Sequence, residues 1–113
     1  GKDKDYVANN ILKIVAEIKR LSPRTAIYVE SILPVNPTFT VFKTHIDQST
    51  SIKYVNAILE KEASRAGYTY INLHRSMCDR DGYLSSKYTN DGLHLCWEGY
   101  RLWREILTSY IPR

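Results

Sequence analysis

Two short, apolar, β-rich runs, Thr25–Leu33 and Tyr68–Leu73, with one helical segment between them, constrain the fold of this chain more than any other feature. In the first run Ala26, Ile27, Tyr28, Val29 and Ile32 set apolar residues on both sides, which suits a strand buried on both faces of a parallel sheet. Parallel neighbours need a crossover connection. The intervening segment supplies one, because Ile52, Val55, Ile58, Leu59, Ala63 and Ala66 recur at helical spacing and Gly67 stops the helix. A helix is also expected before the first strand, from Asp5 to Leu21. There Val7, Ile11, Ile14, Val15, Ile18 and Leu21 form one stripe, with Asn9, Lys13, Glu17 and Arg20 opposite. Asp3 or Asp5 can cap its start, and Pro23 ends it. A last helix, Trp97–Ile111, is expected to bury Leu102, Trp103, Ile106, Leu107 and Tyr110. This order describes an α/β domain with right-handed crossovers. A doubly wound sheet has about five strands. Residues 1–113 therefore read as the C-terminal part of one domain whose remaining strands precede Gly1.

Between these elements lie two long irregular stretches. Pro34 to about Ser49 forms a loop with Pro37 and an exposed His45, and loops of this length in a compact domain tend to be functional. The second, His74–Cys96, contains an Asp81-Gly82 turn. A hydrophobic content of 43% with 25% charged residues belongs to a folded chain. No apolar run approaches the ~20 residues of a membrane span. The net charge of +4 comes from dispersed bases on solvated helix faces, and no Arg/Lys run alternates with stacking aromatics, which argues against a nucleic-acid groove. Cys78 and Cys96 are too few for a disulfide framework and are expected as free thiols. The start Gly1-Lys2-Asp3-Lys4-Asp5 lacks an initiator Met and reads as an internal cut, so the compartment stays open.

The chemistry concentrates in Tyr88-Thr89-Asn90-Asp91-Gly92-Leu93-His94-Leu95, followed by Glu98-Gly99-Tyr100. A carboxylate three residues before an imidazole, in a Gly-containing turn leading into a helix, can be aimed with it into one cleft. Asp91 can then hold one ring nitrogen of His94 while the other takes a proton from a nucleophile. The plainer alternative is a turn aspartate beside a half-buried histidine satisfied by backbone.

The pattern Y-T-N-D-G-L-H-L-x-x-x-G-Y-x-x-W resembles the last motif block of the SGNH, or GDSL-type, lipase/acylhydrolase (esterase) family. Ile27-Tyr28-Val29-Glu30-Ser31-Ile32-Leu33-Pro34-Val35-Asn36 is similar to a strand and loop of its bacterial esterases, and Tyr70-Ile71-Asn72-Leu73 ahead of Asp81-Gly82-Tyr83-Leu84 also matches. The resemblance covers nearly the whole chain. It implies the C-terminal part of a flavodoxin-like three-layer α/β/α fold with a parallel sheet. It also implies a serine esterase acting on small acyl or acetyl esters, without metal or organic cofactor. Asp91 and His94 would be the catalytic Asp and His. Loop residues after Asn36 would line the substrate cleft, with Asn36 the candidate substrate-binding residue at its start. The family's nucleophilic Ser and its oxyanion Gly and Asn come from blocks with no counterpart here: no G-D-S, G-x-S-x-G or G-x-N-D occurs. Cys96 replaces a polar residue suited to cap the last helix, and a thiol caps poorly.

Other candidates read as structural. Ser31 lies in the first strand, Ser49 and Ser51 look like helix caps, and Ser85 and Ser86 lack a strand-turn-helix setting. His74, Cys78, His94 and Cys96 can be drawn as a zinc site, but their spacings fit no common zinc motif. Trp97 and Trp103 are expected to pack in the core and at its rim. The rival to the enzyme reading is a truncated or degenerate binding or assembly module. Alone, the chain is expected to self-associate or to pair with the missing N-terminal segment.

Overall fold

A computed structural model describes residues 2–39 and 49–111. The expected exposure of His45 falls outside them. The elements follow the order α1 (Lys2–Leu21), β1 (Tyr28–Glu30), α2 (Ser49–Ala66), β2 (Thr69–Ile71), α3 (Leu73–Met77) and α4 (Trp97–Tyr110). The two strands are parallel neighbours, in the register Tyr28 to Thr69, Val29 to Tyr70 and Glu30 to Ile71. Thr69 N donates to Ile27 O and Ser31 N to Ile71 O, each at 2.9 Å, so ladder bonding extends just past both ends of β1. The α/β reading with a helical crossover between parallel strands therefore holds.

The first strand is shorter than Thr25–Leu33 and is not buried on both faces. Tyr28 and Val29 are half-buried and Glu30 is exposed. Among the described residues β1 has a hydrogen-bonded neighbour on one edge, and that neighbour is itself only three residues long.

The core forms where α1 crosses α2 against the sheet. Ala8, Val55 and Leu59 make a buried cluster, with Ile11, Val29, Ile32, Ile58 and Tyr70 packed around it. Leu59 is fully buried, a contribution of about 1.5–3 kcal/mol relative to leaving it in water. The small side chain of Ala8 lets α1 approach α2 closely. The contact strip is consequently rotated from the expected stripe: Ala8 and Val15 are buried, whereas Val7, Ile14 and Leu21 are exposed at 39, 59 and 68%. α1 also starts earlier than expected, so Asp5 lies inside it and accepts a 2.7 Å bond from the Tyr54 hydroxyl of α2. Its end is as expected, at Leu21.

Gly67, with φ +83°, ends α2, and its N–H returns to Ala63 O at 2.9 Å. Asn56 joins α2 to the segment after β1, accepting from Ile32 N at 2.7 Å and donating to Ile32 O at 2.9 Å. Chain that was expected to be wholly irregular opens with α3, capped by Asn72, whose side chain accepts from Arg75 N at 2.9 Å. The last helix, α4, buries less than its sequence pattern suggests. Gly99 is its one buried residue; Leu102, Trp103, Ile106 and Leu107 are half-buried, and Tyr110 is exposed. Trp103 tethers it to the sheet, donating from Nε1 to Glu30 Oε1 at 2.6 Å. As expected of a thiol, Cys96 at the N-cap makes no side-chain capping bond. Among the described residues, no helix is long and apolar enough to cross a membrane.

Candidate active site

The segment Thr89–Leu95 forms a narrow loop closed by an antiparallel bridge between those two residues. A second bond, Cys96 N to Tyr88 O at 2.8 Å, holds it to the base of α4. Within the loop, Asp91 behaves as an Asx-turn residue, as its position before a glycine favours. Its Oδ1 accepts the backbone N–H of Leu93 and of His94, both at 2.8 Å. This leaves Oδ2 aimed at the His94 ring, 2.9 Å from Nδ1. The His94 N–H bond, then the ring contact, then the Leu93 N–H hold the Asp91 carboxyl well below the usual carboxylate range. Asp91 is thus an anion in the pair. The His94 side chain is 65% exposed, against 26% for Asp91. One ring nitrogen is engaged by the carboxylate while the ring stands at the protein surface.

Asn36, in the segment that follows β1, reaches this turn. Its backbone N–H donates to Gly92 O at 2.8 Å. Its buried side chain donates to Leu84 O at 2.9 Å and accepts from Thr38 N at 3.0 Å and Thr38 Oγ1 at 2.6 Å. Asn36, Asp91 and His94 are therefore brought together, but the amide of Asn36 is engaged inside the protein. It braces the loop floor.

Several other residues considered from sequence have structural partners. Ser31, buried just past β1, accepts His74 N at 2.8 Å, and Ser85 Oγ accepts Lys87 N at 3.3 Å. His74 and Cys78 do meet, Nδ1 to Sγ at 3.1 Å. Burial, assisted by Lys53, lowers the His74 pKa, and burial raises that of the Cys78 thiol, so both favour their neutral forms. Cys96 Sγ instead faces Lys87 O at 3.6 Å. Among the described residues, no group of three or more His, Cys, Asp or Glu side chains converges as metal ligands would. Trp97 is not a core residue: it is 69% exposed, with the Arg101 guanidinium 5.5 Å from its ring centroid.

Sequence reasoning missed Thr89, a buried hydroxyl at the centre of the loop. The signal was present, since a Thr two residues before an Asp at a turn is a local hydroxyl-to-backbone motif.

The GDSL-like lipase/acylhydrolase family model matches residues 1–102. The chain belongs to that family. Solved structures agree with the assignment. A Streptococcus pneumonia protein matches with TM-score 0.84 and 30% identity, over 97% of this chain and 53% of its own. A GDSL-like lipase from Bacteroides thetaiotaomicron matches with TM-score 0.77 and 25% identity, over 94% and 51% respectively. The esterase domain of a zebrafish retrotransposon ORF1 protein, at 17% identity and TM-score 0.73, shares the fold. The chain thus spans about half the length of these structures, as a fragment of the GDSL hydrolase fold. No curated protein sequence gave a match.

Proposed function

We propose that this chain is the C-terminal half of a serine ester hydrolase domain and supplies the Asp91–His94 half of its catalytic triad. The observation carrying this reading is the bonding of Asp91. One oxygen is locked by two backbone N–H groups and the other is presented to His94 Nδ1 at 2.9 Å. A carboxylate so fixed keeps the proton on Nδ1, which leaves Nε2 as the base. His94 would take the proton of a serine hydroxyl contributed from upstream of this chain, then return it to the departing alcohol. Asp91 would stabilise the imidazolium formed between those steps. The substrates in this reading are acyl or acetyl esters of small alcohols, carbohydrates or lipids, and no cofactor is called for. Asn36 would act from beneath the cleft, holding its floor against Gly92. By itself the chain would be inactive, since its sequence lacks the serine block and both oxyanion blocks.

The test is made on the protein encoded by the open reading frame that extends upstream of Gly1. It should contain a G-D-S block and hydrolyse a short-chain aryl ester. His94→Ala should lower turnover by about 10⁴–10⁶-fold. Wild-type-like rates in purified His94→Ala would remove His94 from the mechanism. An upstream frame without that block would instead favour a non-catalytic module.

A further inference from the structure

The Asp91–His94 pair is held by a hydroxyl that belongs to neither residue. Thr89 is 2% exposed, and its side chain lies inside the loop that carries the pair. A threonine hydroxyl has one proton to donate and two lone pairs to accept with. The nearer acceptor is His94 O at 2.6 Å, with Asp91 Oδ1 farther away at 3.3 Å. Gly92 N approaches Oγ1 at 3.0 Å and Asp91 N at 3.3 Å. The same oxygen therefore gathers the backbone of Asp91, Gly92 and His94 around one point.

We infer that Thr89 is a positioning residue for the proton-transfer pair, fixing the His94 main chain so that its ring meets Asp91 Oδ2 in one orientation. Two geometric facts support a role beyond filling space. The Gly92 N–H is buried, and a buried donor or acceptor left unpaired is costly, so the loop has reason to close on this hydroxyl. The bond to His94 O also acts on the residue whose own N–H is held by Asp91 Oδ1. With N–H and C=O both held, rotation of the His94 backbone is restricted, and the ring direction becomes a property of the loop. Pre-set geometry of this kind is what proton transfer requires of a general base.

The inference rests on the pair's proposed role, yet its readout needs no turnover and no upstream segment. It is the ratio of the two neutral His94 tautomers, measured by long-range ¹H–¹⁵N correlation on the 113-residue chain at a pH where the ring is neutral. Thr89→Val keeps the shape and removes the hydroxyl. It should lower the ratio of the Nδ1–H to the Nε2–H form roughly two- to tenfold, the range expected for one lost hydrogen bond. Chemical shifts in α1, α2 and the sheet should stay unchanged. Thr89→Ser, which restores the hydroxyl, should recover the wild-type ratio. An unchanged ratio in Thr89→Val overturns the inference. So does failure of Thr89→Ser to recover it, or a change of shifts throughout the protein in Thr89→Val, which would make Thr89 a general packing residue. Wild-type-like esterase rates in His94→Ala would sink the hydrolase reading while leaving this tautomer result to stand or fall separately.

Discussion

The carbonyl oxygen of Asn36 lies so close to Gly92 that a Cβ built on Gly92 would sit 2.7 Å from it. The same Cβ would meet Phe39 Cβ at 2.7 Å, and the backbone φ at Gly92 is +86°. Two costs therefore coincide in Gly92→Ala: a left-handed conformation for a residue with a side chain, and a steric conflict with backbone that cannot swing aside. The substitution should destabilise the chain by roughly 2 kcal/mol or more. It should also loosen the turn, broadening the amide resonances of Leu93 and His94. Urea denaturation of the two proteins side by side measures the first effect. Equal midpoints would show that the turn and the Asn36 segment can part without penalty.

What the sequence revealed, and what it hid, follows from the range of the interactions involved. The Asp91–His94 pair is three residues apart and built from a local turn, so composition and order alone pointed to it. The parallel strand pair was legible because Ile27–Val29 and Tyr70–Ile71 are apolar runs on either side of a periodic helix. The register of α1 was not. Its stripe is wide enough that either edge could face α2, and it is Ala8, a residue of little hydrophobic weight, that makes the close contact. Asn36 could be marked only through the family resemblance of the strand and loop that carry it. Its bond to Gly92 joins distant parts of the chain, and no spacing rule reports such a bond. The helix α3 escaped because five residues are too few to show a period. Asn72, its cap, was the readable sign.

The Asp91 carboxyl, depressed first by the His94 N–H and then by the His94 ring, should leave a signature in acid. A group whose folded pKa lies below its unfolded value of about 3.9 contributes stability above that unfolded value. The contribution is lost as pH falls toward the folded value. Wild type should therefore be more stable than Asp91→Asn by a margin that is widest above about pH 5 and narrows below about pH 4. Urea midpoints at a series of pH values decide the point. A margin that stays constant or grows on acidification would mean that the carboxylate charge is not what holds the loop.

A serine-directed fluorophosphonate probe should leave the 113-residue chain unlabelled. Ser31 Oγ is buried and accepts from His74 N, and Ser85 Oγ accepts from Lys87 N. Neither of these bonds sets the hydroxyl beside a base. The same probe applied to the upstream-extended protein should label one serine that this sequence does not contain. Stoichiometric labelling of the short chain at Ser85 or Ser86, read by peptide mass spectrometry, would place the nucleophile here and contradict the division of the triad.

The short chain should also fail to remain a monomer. Among the described residues β1 is hydrogen-bonded to β2 alone, so its second edge carries backbone donors and acceptors available to another strand. A two-stranded sheet is marginal in water, and helices must cover it to give a stable core. Here the helices leave apolar surface uncovered. Tyr6, Val7, Ile14 and Leu21 are exposed on α1, and Trp97 and Tyr100 on α4. Such surface favours association with a copy of the chain, or with the strands that the family relationship places in the other half of the fold. Size-exclusion chromatography with light scattering at micromolar concentration should show dimers or larger species. Mixing with a separately expressed upstream segment should convert them to a one-to-one complex. Replacing Ile14 and Leu21 by Lys should weaken self-association without unfolding α1, because both side chains already face solvent. A single species of one-chain mass with cooperative unfolding would mean that the exposed edge and stripe are tolerated as they stand.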